Sequence, residues 1–391
     1  MDLSELRAQF PITQRRAYLF SGALAPAAIP VRAAWDAWTD SWSGDPNAVY
    51  TGEGLIGSAD ALRASFAALI GADPATIAIT DNTCRAANIA IRILAERPGG
   101  NVVIDDGTYP SSAYPWHARR DRDVRHVPTD GVDDAAGALA ERIDDDTVAV
   151  CVTHVAPFTG RRHDLRAIAD VAHARGARLV VDAAQSTGVV PIDVEHDGID
   201  VLVTTAMKWL LGPPGIGFLH LRADLLAEAP VLDVGYLGLD APLGDWPPHT
   251  MPPILADARR YELGLPNLPG VFAAGAGIEL LREVGIERIF ARVEELAGRC
   301  MDALADRGAD LLTPADPAQR AGVIAFRHDD ALGLFDLCRS RGVDIGAIGA
   351  VRVDPHAFND EDDIERFLAC YDAFRPAAVG PGAGRSQPAD E

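Results

Sequence analysis

From about residue 58 the chain alternates between two hydrophobic rhythms. SADALRASFAALIG, starting at Ser58, spaces its apolar residues three and four apart, the period of a helix with one buried face. TIAIT is a short β run, NTCRAANIAIRILAE returns to helical spacing, and NVVIDD reads as a strand. VAVCVTHV, LRAIADVAHARGA, RLVVDAA and DVLVTTAMKW continue the pattern. Their strand-like runs are apolar without alternation, as expected of strands covered on both faces. This order predicts an α/β layer fold around a mostly parallel sheet.

The rhythm breaks after GFLHL, at residues 217–221. Residues 230–270 are rich in proline and glycine and suit an active-site wall or subunit contact better than a core layer. A long helical run begins near Val271 and continues through ELLREVGIERIFARVEELAGRCMDALADRG, and AGVIAFRH and AVRVD read as strands around another helix. The expected division is a large α/β domain over 16–265, a small α+β domain made by 1–15 with 266–374, and a disordered tail over 375–391, where RPAAVGPGAGRSQPADE is Pro/Gly-rich and polar.

Composition narrows the function classes. A chain of 391 residues that is 48% hydrophobic can bury a large core. Its formal net charge of -22 opposes nucleic acid or anionic membrane as a main partner. MDLSELRAQF has neither a basic leader nor an apolar signal core, so a cytoplasmic protein is expected. The five cysteines are scattered, without zinc spacing, which predicts neither a disulfide framework nor a structural metal.

One residue changes the picture. Lys208 is the only lysine among 35 basic residues. Arginine supplies charge and anion contacts equally well but forms no Schiff base, so a lone primary amine hints at amine chemistry, or is an ordinary surface lysine. In an open α/β sheet, ligands sit beyond the carboxyl ends of the strands. After TIAIT, Asn82, Thr83 and Cys84 stand at a helix start that either holds a phosphate or is a plain cap. After RLVV, Asp182 is a carboxylate leaving a buried strand for the cleft, or another cap. After VLVTT comes Lys208, followed by the tight turn of GPPG. Phosphate cradle, buried acid and unique amine at successive strand exits match the needs of pyridoxal 5'-phosphate (PLP). No GxGxxG follows an early strand, which disfavours a nicotinamide enzyme.

DAAQ, followed after a strand by KWLLGPPGIGFL, resembles the fold type I PLP enzymes of the class V aminotransferase and cysteine desulfurase group, in particular its isopenicillin N epimerase-like and C–S lyase branch. The resemblance runs from about residue 17 to 372, through YLFSGALAPAAIP, THVAPFTG, RRYELGLPN and VRVDPHAFNDEDDI. It implies a seven-stranded large domain, an amino-acid substrate, and a homodimer with sites at the interface. By position it implies that Thr83, Cys84 and Thr205 hold phosphate, Tyr109 stacks on the pyridine ring, Asp182 pairs with the ring nitrogen, and Gln185 meets the ring hydroxyl. Lys208 bonds the aldehyde, His154 lies beside the cofactor, and Arg352 grips the substrate carboxylate, with Ser21 and Tyr236 also assigned to substrate.

The departures matter too. Met207 stands where relatives often have histidine, and Leu265 where many have a threonine that reaches the partner's phosphate, with Asn267 available to compensate. Residues 342–354 lack the mobile nucleophilic cysteine of desulfurases. The expected enzyme therefore acts at Cα through a Lys208 aldimine and quinonoid, as a C–S β-lyase on a sulfur-substituted amino acid. Aminotransferase, epimerase and a PLP-binding regulatory module remain open.

Overall fold

The computed structural model describes residues 1–47, 57–96, 98–242, 245 and 249–374. The expected disordered tail, 375–391, lies outside the described residues. The chain opens with α1 (Leu3–Ala8), β1 (Ala17–Tyr18) and α2 (Ile29–Gly44). The alternation then follows as α3 (Ser58–Leu69), β2 (Ile77–Thr80), α4 (Thr83–Leu94), β3 (Asn101–Asp105), α5 (Pro110–His117) and β4 (Asp123–Val127). It continues through α6 (Ala135–Ala140), β5 (Thr147–Thr153), α7 (Leu165–His173), β6 (Arg178–Asp182), β7 (Val201–Thr205), β8 (Gly217–Leu221) and α8 (Ala223–Glu228).

Strands β2 to β8 form one seven-stranded sheet in the order β2-β8-β7-β6-β5-β3-β4. Only β8 runs against its neighbours, pairing antiparallel with β2 and β7. The apolar runs are buried on both faces because successive residues feed two cores. Leu179 and Val181 of β6 join one cluster, and Val180 between them joins the other. On the first face Phe66 of α3 stacks on Phe218 of β8, with ring centroids 3.9 Å apart.

Between 230 and 267 the described residues form two short 3-10 turns, Tyr236–Gly238 and Ala258–Tyr261, and one bridge from Leu239 to Ile254. Helices α9 (Leu268–Val284) and α10 (Ile286–Asp306) follow. The single long helical run expected here is thus broken. Gly285, at φ 92°, ends one helix and starts the next, a backbone conformation open to glycine and strained for other residues. The remaining elements are β9 (Asp310–Leu311), β10 (Ile324–Arg327), α11 (Ala331–Ser340), β11 (Val343–Asp344), β12 (Gly346–Ile348), β13 (Ala350–Val353) and α12 (Glu361–Ala373). A second, antiparallel sheet orders β12-β13-β10-β9 over its own core of Phe326, Val351, Val353 and Phe367.

The amino-terminal segment ties the two parts together. β1 pairs parallel with β11, on the far side of the division expected at residues 15–16, and Phe20 bridges Asp354. A few residues later the Ala25 amide donates to the Met207 carbonyl at 2.8 Å. Among the described residues no helix is long and apolar enough to cross a membrane.

Candidate active site

Because β8 alone is reversed, β2, β7, β6, β5 and β3 all direct their carboxyl ends to one edge of the sheet. A cavity of about 420 Å³ opens there. Of the residues singled out from sequence, Thr83, Cys84, Tyr109, Asp182, Gln185, Thr205, Lys208 and Arg352 line it together.

Each is placed by a local cause. Asn82 caps α4 by accepting from the Arg85 amide at 2.9 Å, so the amides of Thr83 and Cys84 have no partner within the helix. Gly217 lets this helix start approach β7, since a Cβ there would lie 2.8 Å from the Asn82 backbone and 2.9 Å from the Thr204 carbonyl oxygen. Asp182 ends β6 and is buried. Ser112 Oγ donates to its Oδ2 at 2.7 Å and the Ala184 amide to its Oδ1 at 3.1 Å. Lys208 stands three residues beyond β7 in a tight turn closed by the Leu211 amide on the Lys208 carbonyl, where Leu211 takes a positive φ of 60°.

Tyr109 is 43% exposed at the start of α5, its ring centroid 5.7 Å from Lys208 Nζ. Gln185 donates from Nε2 to the Gly22 carbonyl at 2.9 Å and accepts from Trp209 Nε1 at 2.8 Å. Arg352 donates from Nη2 to Asp354 Oδ2 at 2.6 Å, and its guanidinium carbon lies 5.5 Å from the centre of the Phe20 ring.

Four expected residues are elsewhere. His154 is buried but absent from the cavity lining; its amide donates to the Asp182 carbonyl at 2.9 Å and its Nδ1 has no partner. Ser21 is fully buried beside the site with an unpartnered hydroxyl. Asn267 caps α9 and lines a different cleft with Leu265 and Gly215. Tyr236 lines a third, with Arg63, Arg259 and Glu262.

Conversely, Ser112 and Asp354 were not anticipated, nor was Gly22. A Cβ on Gly22 would fall 2.5 Å from Asp354 Oδ2, 2.6 Å from Arg352 Nη2 and 2.9 Å from Gln185 Oε1. Strand alternation is the signal that could have found Asp354, because residues two apart in an extended chain share a face and Arg352 was already suspected.

The electrostatics push the buried groups toward neutrality. Burial lowers the Lys208 amine below the ordinary lysine range and Arg352 nearby adds to this, while Asp182 and Asp354 oppose it. Burial raises Asp182 against the pull of its hydrogen bonds and of Lys208, and raises Asp354 to about 6 despite Arg352. Burial, with Arg162 and His163 nearby, lowers His154 to about 3, so it is neutral at pH 7.

The Aminotransferase class-V family matches residues 17–343. The chain belongs to this family of PLP-dependent enzymes. It is 29% identical over 369 residues to the uncharacterized aminotransferase YcbU of Bacillus subtilis, covering 93% of this chain and 96% of that one. It is likewise 29% identical over 333 residues to isopenicillin N epimerase of Streptomyces clavuligerus, covering 80% and 83% of the respective proteins in order of this chain at 80% and the epimerase at 83%. Cysteine desulfurases and kynureninases are also among its relatives. In fold it matches the cystine C–S lyase C-DES, solved with its product cysteine persulfide, at a TM-score of 0.86 and 23% identity over 94% of this chain and 100% of the lyase.

The residues present fit the family's cofactor. Asp182 is a buried carboxylate with no ion pair to an arginine among the described residues, which suits a cationic ring nitrogen. The uncommitted amides at the start of α4, a helix of 12 residues, suit a phosphate.

Proposed function

We propose that this chain is a C–S β-lyase acting on a sulfur-substituted amino acid. One observation carries the reading. Lys208, Asp182 and Arg352, from three separate parts of the chain, line one cavity in which burial drives the only lysine toward its neutral, reactive form. In this reading the amides of Thr83 and Cys84, with the Thr205 hydroxyl, hold the phosphate of PLP, Tyr109 covers the ring, and Gln185 meets its hydroxyl. Asp182, steadied by Ser112, keeps the ring nitrogen protonated. When bound, PLP supplies an electron-accepting ring conjugated to the substrate's Cα.

The protein's own groups do the rest. Arg352 offers a planar fork of donors to the substrate carboxylate. The neutral Lys208 amine takes the Cα proton as a general base. His154 is too weakly basic to donate a proton near pH 7, and its amide instead fixes the end of β6 beside Asp182.

A lyase is favoured over a persulfide-forming desulfurase because Cys84 is the one cysteine among the described lining residues, and it stands at the phosphate end. Cys338 and Cys370 are buried in the core of the second sheet. Asn267 and Tyr236 are proposed to serve the partner's site in a homodimer.

Incubation with PLP and borohydride is expected to fix the cofactor to the Lys208 peptide, read by mass mapping. S-substituted cysteines are then expected to yield pyruvate and thiol. A new keto acid retaining its side chain would make the protein an aminotransferase, and no adduct at Lys208 would sink the cofactor assignment.

A further inference from the structure

Resting on the assignment of Lys208 and Asp182 to the cofactor, the part of the cavity left for the substrate has a composition of its own. Among the described lining residues Asp182, Lys208 and Arg352 are the only charged side chains, and Arg352 is already engaged by Asp354. The same cavity is also lined by the apolar side chains of Phe20, Pro157, Phe158, Met207 and Ile348, with the Phe20 ring against the Arg352 guanidinium.

Two of these side chains are conspicuously uncovered. Phe158 is 39% exposed and Ile348 is 71% exposed. They come from distant parts of the chain and line the same cavity. Ile348 ends β12 just before Gly349, whose φ of 74° turns the chain into β13. A Cβ on Gly349 would lie 3.5 Å from the Phe158 ring, ordinary contact distance, so this turn sits directly beside that ring. Phe158 in turn leans on Tyr109, with ring centroids 6.3 Å apart. Tyr109, Phe158 and the turn carrying Ile348 thus give this cavity, which Arg352 also lines, an exposed apolar surface.

We infer that the site selects amino acids whose side chain is apolar, seated against Phe158 and Ile348 while Arg352 holds the carboxylate. A side chain bearing a second charge would lose water there without gaining a partner. An alkyl or aryl group would cover the two open hydrophobes and gain by the area it removes from water. The substrate class is thus S-alkyl or S-aryl cysteines and their carbon analogues, and not cysteine conjugates with a charged S-substituent.

Two arms test this separately from the parent reading. In the first, calorimetry compares 3-phenylpropanoate with succinate. Both carry a carboxylate for Arg352 and neither has an amino group, so no chemistry is needed. The aryl acid is expected to bind about tenfold tighter or better, Phe158→Ala to remove most of that advantage, and the exposed substitution Ile348→Arg to shift preference toward succinate. Equal binding, or a preference untouched by both variants, overturns the inference.

In the second arm, proton NMR in deuterium oxide follows loss of the Cα hydrogen from S-benzylcysteine and S-carboxymethylcysteine with the PLP-loaded enzyme. A kcat/KM advantage of about tenfold for the benzyl compound is expected. Equal exchange of both overturns the selectivity alone. No exchange from any amino acid overturns the parent reading, and the calorimetric arm still decides this one.

Discussion

The Arg352–Asp354 pair shows how one buried carboxylate sets the behaviour of a binding site. Asp354 Oδ1 has no partner, and burial raises its carboxyl to about 6. Below that pH Asp354 is neutral and the guanidinium charge is free for a ligand; above it, Asp354 ionises and competes. Affinity for 3-phenylpropanoate is therefore expected to fall as pH rises from 5 to 7. In Asp354→Asn that dependence is expected to flatten, with tighter binding at pH 7, as calorimetry at each pH would read. A wild-type affinity that is flat or rises over this range would refute the competition. Gly22→Ala is a second test, since the new Cβ cannot coexist with the pair as it stands. Overpacking a buried site costs about 1–3 kcal/mol, so urea unfolding should reveal a loss of about that size, and an unchanged midpoint would show that the Asp354 and Arg352 side chains move aside freely. Thr83, Asp182 and Lys208 stood out in the sequence because each lies at or just past the end of an apolar strand, whereas Arg352, inside β13, was suggested only by the family resemblance. Gly22 was not legible, because its role is set by Gln185, Arg352 and Asp354, remote from it in sequence.

Elements were legible in proportion to how fully they are buried. The central strands β3, β6, β7 and β8 read directly as apolar runs, and all are buried along nearly their whole length. β4, with the sequence DVRHV, was missed. It is the sheet's edge, half exposed, and carries the polar side chains that keep an edge from pairing further. Helix α5 was hidden by composition, since PSSAYPWH holds proline at its first position and again inside. The break between α9 and α10 was also missed, because hydrophobic spacing continues across Gly285 and only the backbone changes. Nothing lies within 4 Å of a Cβ built there, so Gly285→Ala tests conformation without steric conflict. It is expected to cost about 1–3 kcal/mol in denaturant unfolding, and an unchanged midpoint would show that the two helices can join without penalty.

Across the whole molecule, the large sheet has a buried titrating group on the strand next to its β2 edge. His220 of β8 donates from Nδ1 to the Thr76 hydroxyl at 2.9 Å, since that hydroxyl itself donates to the Asp73 carbonyl at 2.7 Å; its Nε2 is unpartnered, and burial lowers it to about 4. The imidazole of the unfolded chain takes up its second proton near pH 6.5 and the native one only near 4. Its contribution to stability is thus complete above 6.5 and lost as pH falls toward 4. His220→Gln is expected to flatten the stability slope between pH 6 and 5 by about 1.4 kcal/mol per pH unit, measured by urea titration at each pH; an unaltered slope would show the imidazole already charged in the fold. The tie made by residues 17–25 has a consequence for synthesis. These residues are made well before the partners that their backbone bonds, Met207, Gly342, Asp344 and Asp354. The sheet can assemble while translation proceeds, but the strap across it must wait for residues 342–354. A nascent chain halted before that point would carry Lys208 but not Arg352, so the cavity would still lack one of the charged side chains that line it.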